Sequence, residues 1–175
     1  SPLTVFEVKL GAKKDGTLTA LQGRVIFDTG AYSGSALSIG CLLLGGYYRF
    51  PNLDIRGYEV MTNKVGVGAY RAPGAPQASF ALESAMDDLA ERLGLDPLDF
   101  RLQNAIVEGD LWPDGNPWPV VGLKQTLQAL KDHPLWQQRH HLGPNEGVGV
   151  GAGGWPGGRG PAAAACRMDP GGTLT

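Results

Sequence analysis

Gly66-Val67-Gly68-Ala69-Tyr70-Arg71-Ala72-Pro73-Gly74-Ala75-Pro76-Gln77 opens onto the most regular stretch of the chain, Pro76 to Leu93. Leu82, Ala85, Met86, Leu89, Ala90 and Leu93 recur there at helical spacing, and Glu83, Asp87, Asp88, Glu91 and Arg92 fall on the other face. The spacing predicts an amphipathic helix with its apolar stripe on a core and its charges in water. Gly94 follows as a C-terminal cap. Asp96-Pro97 then predicts a second helix to about Asn104, with the carboxylate as N-cap and the proline at the first helical position.

On the N-terminal side the period changes. Val5, Phe6, Val8 and Leu10 predict a strand, Lys13-Lys14-Asp15-Gly16 a hairpin turn, and Thr17 to Phe27 the returning strand. Asp28 to Gly34 reads as a break. Ala36 to Tyr48 is small and apolar with glycines at 40, 45 and 46, and a short buried helix is one reading of it. Leu53 to Thr62 predicts a third strand through Ile55, Tyr58 and Val60. Leu123–Lys131 and Pro134–His141 predict two short helices. From Gly143 glycine dominates, and Asp169-Pro170-Gly171-Gly172 is a turn before a strand-like Thr173-Leu174-Thr175. The fold expected is α+β, a mixed twisted sheet packed by helices. Residues 1–142 form the main unit, and 143–175 a glycine-rich linker and the start of a further β-unit. Beginning in a strand and stopping three residues into another, the sequence reads as a piece of a longer protein.

Composition removes several function classes. A net charge of -2 gives no electrostatic reason for nucleic acid or an anionic membrane as partner. No apolar run is long enough to span a bilayer, and nothing at the start reads as a signal peptide. Cys41 and Cys166 lack the neighbours of a metal site, and two free thiols in a reducing cytoplasm is the expected state.

Gly149-Val150-Gly151-Ala152-Gly153-Gly154 satisfies GxGxxG, but Trp155-Pro156-Gly157-Gly158 cannot open the helix a dinucleotide site needs, so a linker or glycine-rich strand is expected. His140-His141 point in different directions on a helix and cannot both grip one metal. Asp87-Asp88 read as a solvated face, and Ser33 and Ser79 have no His/Asp constellation around them. The loop from Gly66 to Gln77 stands apart. Gly68 and Gly74 permit close approach of a ligand to the backbone, and Arg71 beside a helix N-terminus favours a polyanion. An ordinary loop whose arginine caps a neighbouring carbonyl is the alternative.

Gly68 to Gln77, then Phe80-Ala81-Leu82-Glu83, Met86-Asp87, Leu93-Gly94-Leu95-Asp96-Pro97, Arg101 and Asn104, resemble the large, molybdopterin-binding subunit of the xanthine dehydrogenase/aldehyde oxidase family. The likeness runs from about Val5 to Leu130, upstream through Asp28-Thr29-Gly30-Ala31-Tyr32. It implies the first part of a molybdopterin-binding domain in which Ala69, Tyr70 and Arg71 line the cofactor, largely through backbone. Ala72 and Pro73 would then lie next to the substrate. Family chemistry is molybdenum-dependent hydroxylation of a small organic substrate, an aldehyde or an N-heterocycle, with electrons leaving through iron–sulfur clusters and FAD on partner chains or domains.

Departures from the family narrow this. Ala72 stands where carbon monoxide dehydrogenases carry a copper-binding cysteine, and Pro73 where xanthine-type enzymes stack an aromatic. No purine-orienting arginine occurs between Ser38 and Cys41. The glutamate base and later pterin-holding loops have no counterpart, so this stretch alone is expected to be inactive, with no catalytic residue and no metal ligand of its own. The rival reading is a non-catalytic structural or interaction module of the same fold.

Overall fold

The structure, a computed structural model, describes residues 3–155 and 163–173. Strands β1 (Thr4–Ala12) and β2 (Leu18–Gly30) form an antiparallel hairpin. Asp15 shapes its turn by accepting the Thr17 N–H at 2.9 Å, and Gly16 takes φ 86°. Helix α1 (Leu37–Leu44) carries the chain across to strand β3 (Asn52–Met61), which runs parallel to β2. The result is a mixed three-stranded sheet in the order β1-β2-β3.

Strand alternation decides which face meets the helices. Phe6, Val8 and Leu10 of β1 join Leu21, Val25 and Phe27 of β2 in the core, whereas Glu7, Lys9, Gln22 and Arg24 lie on the open face. On the core side α1 and helix α2 (Ala75–Leu93) pack together, and α2 crosses β1. Leu82, Met86 and Ala90 of α2 are completely buried. Truncating a leucine such as Leu82 to alanine typically costs about 2–5 kcal/mol. Tyr58 and Val60 do not share a face with Ile55, because they sit at odd offsets from it. Ile55 packs on the core, while Tyr58 lies under the Arg24 guanidinium, 5.7 Å from its ring centroid.

Helix α3 (Pro97–Asn104) begins as its sequence predicts, with Asp96 accepting the Leu98 and Asp99 N–H groups at 2.8 and 3.0 Å. Gly94 ends α2 in the left-handed conformation at φ 69°. Asn104, buried at the end of α3, reaches back to the hairpin. Its Oδ1 accepts the Leu18 N–H at 3.0 Å and its Nδ2 donates to Gly16 O at 2.9 Å.

Three expectations change. Strand β2 continues through Asp28-Thr29-Gly30, because β3 runs beside it there. The last helix does not reach His141. Helix α4 (Leu123–Asp132) is followed by helix α5 (Pro134–Gln137) and then a 3-10 turn at Arg139–His141. Arg139 turns back to donate to Trp136 O and to Asp96, and it lies over the Trp136 ring at 4.2 Å. Both adjacent histidines are exposed.

Glu83 is the third correction, since it leaves the solvated face altogether. Its carboxylate is buried and accepts from Tyr48 Oη at 2.7 Å, Arg101 Nε at 2.8 Å and Ala152 N at 2.8 Å. Arg101 is fully buried and also pairs with Asp87 at 2.8 Å. Burial, and then the Glu83 charge, push the Tyr48 phenol far up, so it stays a donor.

The segment from Gly151 to Gly154, which has no regular secondary structure, lies against this network. Tyr47 Oη donates to Gly154 O at 2.9 Å and accepts its N–H at 3.0 Å. No helix follows Gly149–Gly154 among the described residues. The turn at Asp169 is formed, its carboxylate accepting from Gly171 N and Thr173 N at 3.0 Å each. Leu174 and Thr175 of the expected strand lie outside the described residues.

Candidate functional site

The loop before α2 hangs from the end of β2. Pairing passes from Asp28↔Val60 to Gly30↔Met61, which leaves Thr29 as an extra residue on β2. That irregularity frees its carbonyl to accept Val67 N–H at 3.2 Å. Thr62 N donates to Gly30 O at 2.9 Å and Ala31 N to Lys64 O at 3.0 Å. Gly30, at φ 70°, could not be replaced. A Cβ there would sit 2.2 Å from Val65 O.

Asp28 fastens the same corner. It accepts from Lys64 Nζ, from Thr62 Oγ1 at 2.6 Å and from Gly30 N at 3.0 Å. These partners, Lys64 first, hold its carboxyl at about 2. A depressed carboxyl pKa contributes stability that is present above the unfolded value of 3.8 and lost as pH falls toward 2. Acid unfolding followed between those two pH values therefore steepens through this group, and Asp28→Asn flattens that part of the curve. A profile unchanged by the substitution would contradict the assignment.

Beyond Val67 the loop has few internal partners. Tyr70 is completely exposed and Arg71 exposed. Ala72 takes φ 44°, a strained value for a residue with a Cβ, and its carbonyl accepts Ala75 N at 3.0 Å. Gly74 follows at φ 83°. Among the described residues, no acceptor meets the amide N–H of Gly68, Ala69, Tyr70, Arg71 or Gln77. Several backbone donors are thus uncommitted at one place.

Beside them lies a cavity of about 430 Å³. Ala69, Tyr70, Arg71, Ala72 and Pro73, the residues singled out from the sequence, all border it. So do Phe27, Ser35, Ala36, Ile39 and Gln77, which sequence reasoning did not select. Phe27 and Ile39 supply an apolar floor. Ser35 is tied to Glu59, which accepts its N–H at 2.9 Å as well as its hydroxyl. The Gln77 side-chain Oε1 is buried with no partner.

The two glycines of the loop differ. A Cβ on Gly68 would meet nothing within 4 Å. One on Gly74 would meet Ala36 O at 2.8 Å and Gly40 N at 2.9 Å, so the protein itself uses that space. A second groove, about 630 Å³, runs between β1 and α2 past Phe6, Val8 and Phe80, away from the uncommitted donors. Among the described residues, no three His, Cys, Asp or Glu side chains gather to hold a metal ion. No helix there is long and apolar enough to cross a membrane.

Comparison with known proteins bears on the family and the fold. An aldehyde oxidoreductase of Megalodesulfovibrio gigas is 43% identical over 129 residues, which is 72% of this chain and 14% of that protein. The large molybdopterin subunit of the nicotinate dehydrogenase of Eubacterium barkeri is 38% identical over 138 residues, 75% of this chain and 32% of that one. This chain therefore spans between about a seventh and a third of these relatives, both oxidoreductases. The solved structure of the aldehyde oxidoreductase from Desulfovibrio gigas superposes with a TM-score of 0.71 at 39% identity, covering 78% of this chain and 15% of that one. The sequence profile of the molybdopterin cofactor-binding domain matches residues 2–105, a span that holds the sheet, the loop and α2. With more than half of its 175 residues matched, the chain belongs to the molybdopterin cofactor-binding domain family.

Proposed function

We propose that this chain supplies one wall of the molybdopterin and substrate site of a molybdenum hydroxylase acting on an aldehyde or an N-heterocycle. The carrying observation is the set of uncommitted N–H groups from Gly68 to Arg71 beside a cavity. Those donors, the Arg71 cation and the stranded Gln77 carbonyl fit a large polyanionic ligand that also has hydrogen-bonding edges. Ala69, Tyr70 and Arg71 hold the cofactor mainly through backbone. The bound group supplies the two-electron redox chemistry.

Ala72 and Pro73 face the substrate. One is small and one rigid, and neither offers an aromatic surface or a thiol. Phe27 and Ile39 keep water from the inner end of the cavity. Residues 1–142 form part of the first cofactor-binding domain. Electrons leave through iron–sulfur and flavin subunits or domains of the whole enzyme, which works in the cytoplasm.

Gly68→Val tests the reading in the full-length gene product. Open space around Gly68 lets the apo protein melt within a degree or two of wild type. The added side chain fills the approach to the backbone, and molybdenum per protein falls at least fivefold. Full molybdenum content in that variant would remove the loop from the cofactor site.

A further inference from the structure

Gln77 stands in the first turn of α2, on the partition shared by the cavity beside the loop and the groove along β1. Its carboxamide has no partner among the described residues. Oε1 is buried and unmet, and nothing bonds Nε2. Turning the amide over exchanges the two ends but still leaves a polar atom stranded in the buried position. Native interiors pair nearly all such groups, so an orphan on a cavity wall points to something absent. Its neighbours offer little: Pro76 has no N–H, and the Ala78 N–H is already given to Gly74 O at 3.0 Å.

A carboxamide presents a donor and an acceptor side by side. The aminopyrimidinone edge of a pterin presents the complementary pair, an N–H next to a C=O. We propose that Gln77 is a cofactor-contacting residue whose side-chain amide pairs with that edge of the pterin. The proposal rests on the reading of the loop given above and adds a side-chain contact to its backbone donors. An amide that instead served the fold would already have its partner inside the protein.

The test uses the full-length gene product in two forms, loaded and purified from a host unable to make the cofactor. Gln77→Met keeps the length and removes both polar atoms, while Gln77→Glu keeps the acceptors and removes the donor. Apo Gln77→Met melts no lower than wild type, since a stranded group has been taken away. Loaded, both variants retain about five- to tenfold less pterin after dialysis, measured by fluorescence of the oxidised pterin and by molybdenum content.

A lower melting temperature or misfolding of apo Gln77→Met would overturn the proposal, because the partner would then lie within the protein. So would full pterin retention in both variants. Gly68→Val run in parallel separates the two ideas. Cofactor loss there with full retention at Gln77 discards the glutamine contact alone, and full retention throughout discards the loop reading as well.

Discussion

Arg101→Met destabilises the fold by about 3–5 kcal/mol, the usual range for stripping one partner from a buried ion pair. Methionine retains much of the arginine stem's volume, so the loss is electrostatic more than steric. Glu83 is then left as a buried carboxylate facing only the Tyr48 hydroxyl and the Ala152 N–H. The effect reaches beyond helices α2 and α3. Ala152 N–H is held by the same carboxylate, so its hydrogen-exchange protection falls together with global stability. Neutralising the acid as well, in Glu83→Gln with Arg101→Met, recovers at least half of the deficit, because no uncompensated charge remains. Chemical denaturation of the two proteins settles it. A cost below about 1 kcal/mol for Arg101→Met would mean that the pair is not a keystone.

Gly74→Ala is the second severe substitution, and Gly94→Ala is its internal control. Both glycines flank α2 in the left-handed region, at φ 83° and 69°. Any residue with a Cβ loses about 1–2 kcal/mol in that conformation. At Gly94 nothing lies within 4 Å of the added carbon, so the backbone term acts alone. At Gly74 the carbon meets Ala36 O at 2.8 Å and Gly40 N at 2.9 Å, main-chain atoms that can yield only if α1 moves. Gly74→Ala therefore costs about 3 kcal/mol or more, and the difference between the variants reports the contact between loop and α1. Equal denaturation midpoints would remove that contact. In the loaded protein Gly74→Ala also lowers molybdenum content, since Ala36 and Ile39 border the same cavity as the loop.

What could be read from the sequence follows from the range of the forces involved. Helices α2 and α3 were legible because periodicity, Gly94, Asp96 and Pro97 act within a few residues of each other. The hairpin was legible for the same reason, through Asp15-Gly16. Glu83 was not. Helical spacing puts it among the charges of α2, and its burial depends on Arg101 eighteen residues later and on Tyr48 thirty-five residues earlier. The Thr29 irregularity, which seats the loop, exists only once β3 is alongside. The loop announced itself by composition, whereas Phe27, Ser35 and Ile39 reach the cavity from two other segments and carry no local mark. Gln77 closes the same loop sequence, but only packing reveals that its amide is stranded. The break after Gln137 likewise depends on Asp96, forty-three residues from Arg139.

Asn104 carries a consequence for the order of events during biosynthesis. The Leu18 N–H opens β2, yet its acceptor is 86 residues further along. At a translation rate of about 5–20 residues per second, that amide waits roughly 4–17 s before its acceptor has been made. Once Gly30 has been added, the ribosome-bound hairpin has both strands and no clasp from Asn104, so the nascent chain settles in this corner only after α3 has emerged.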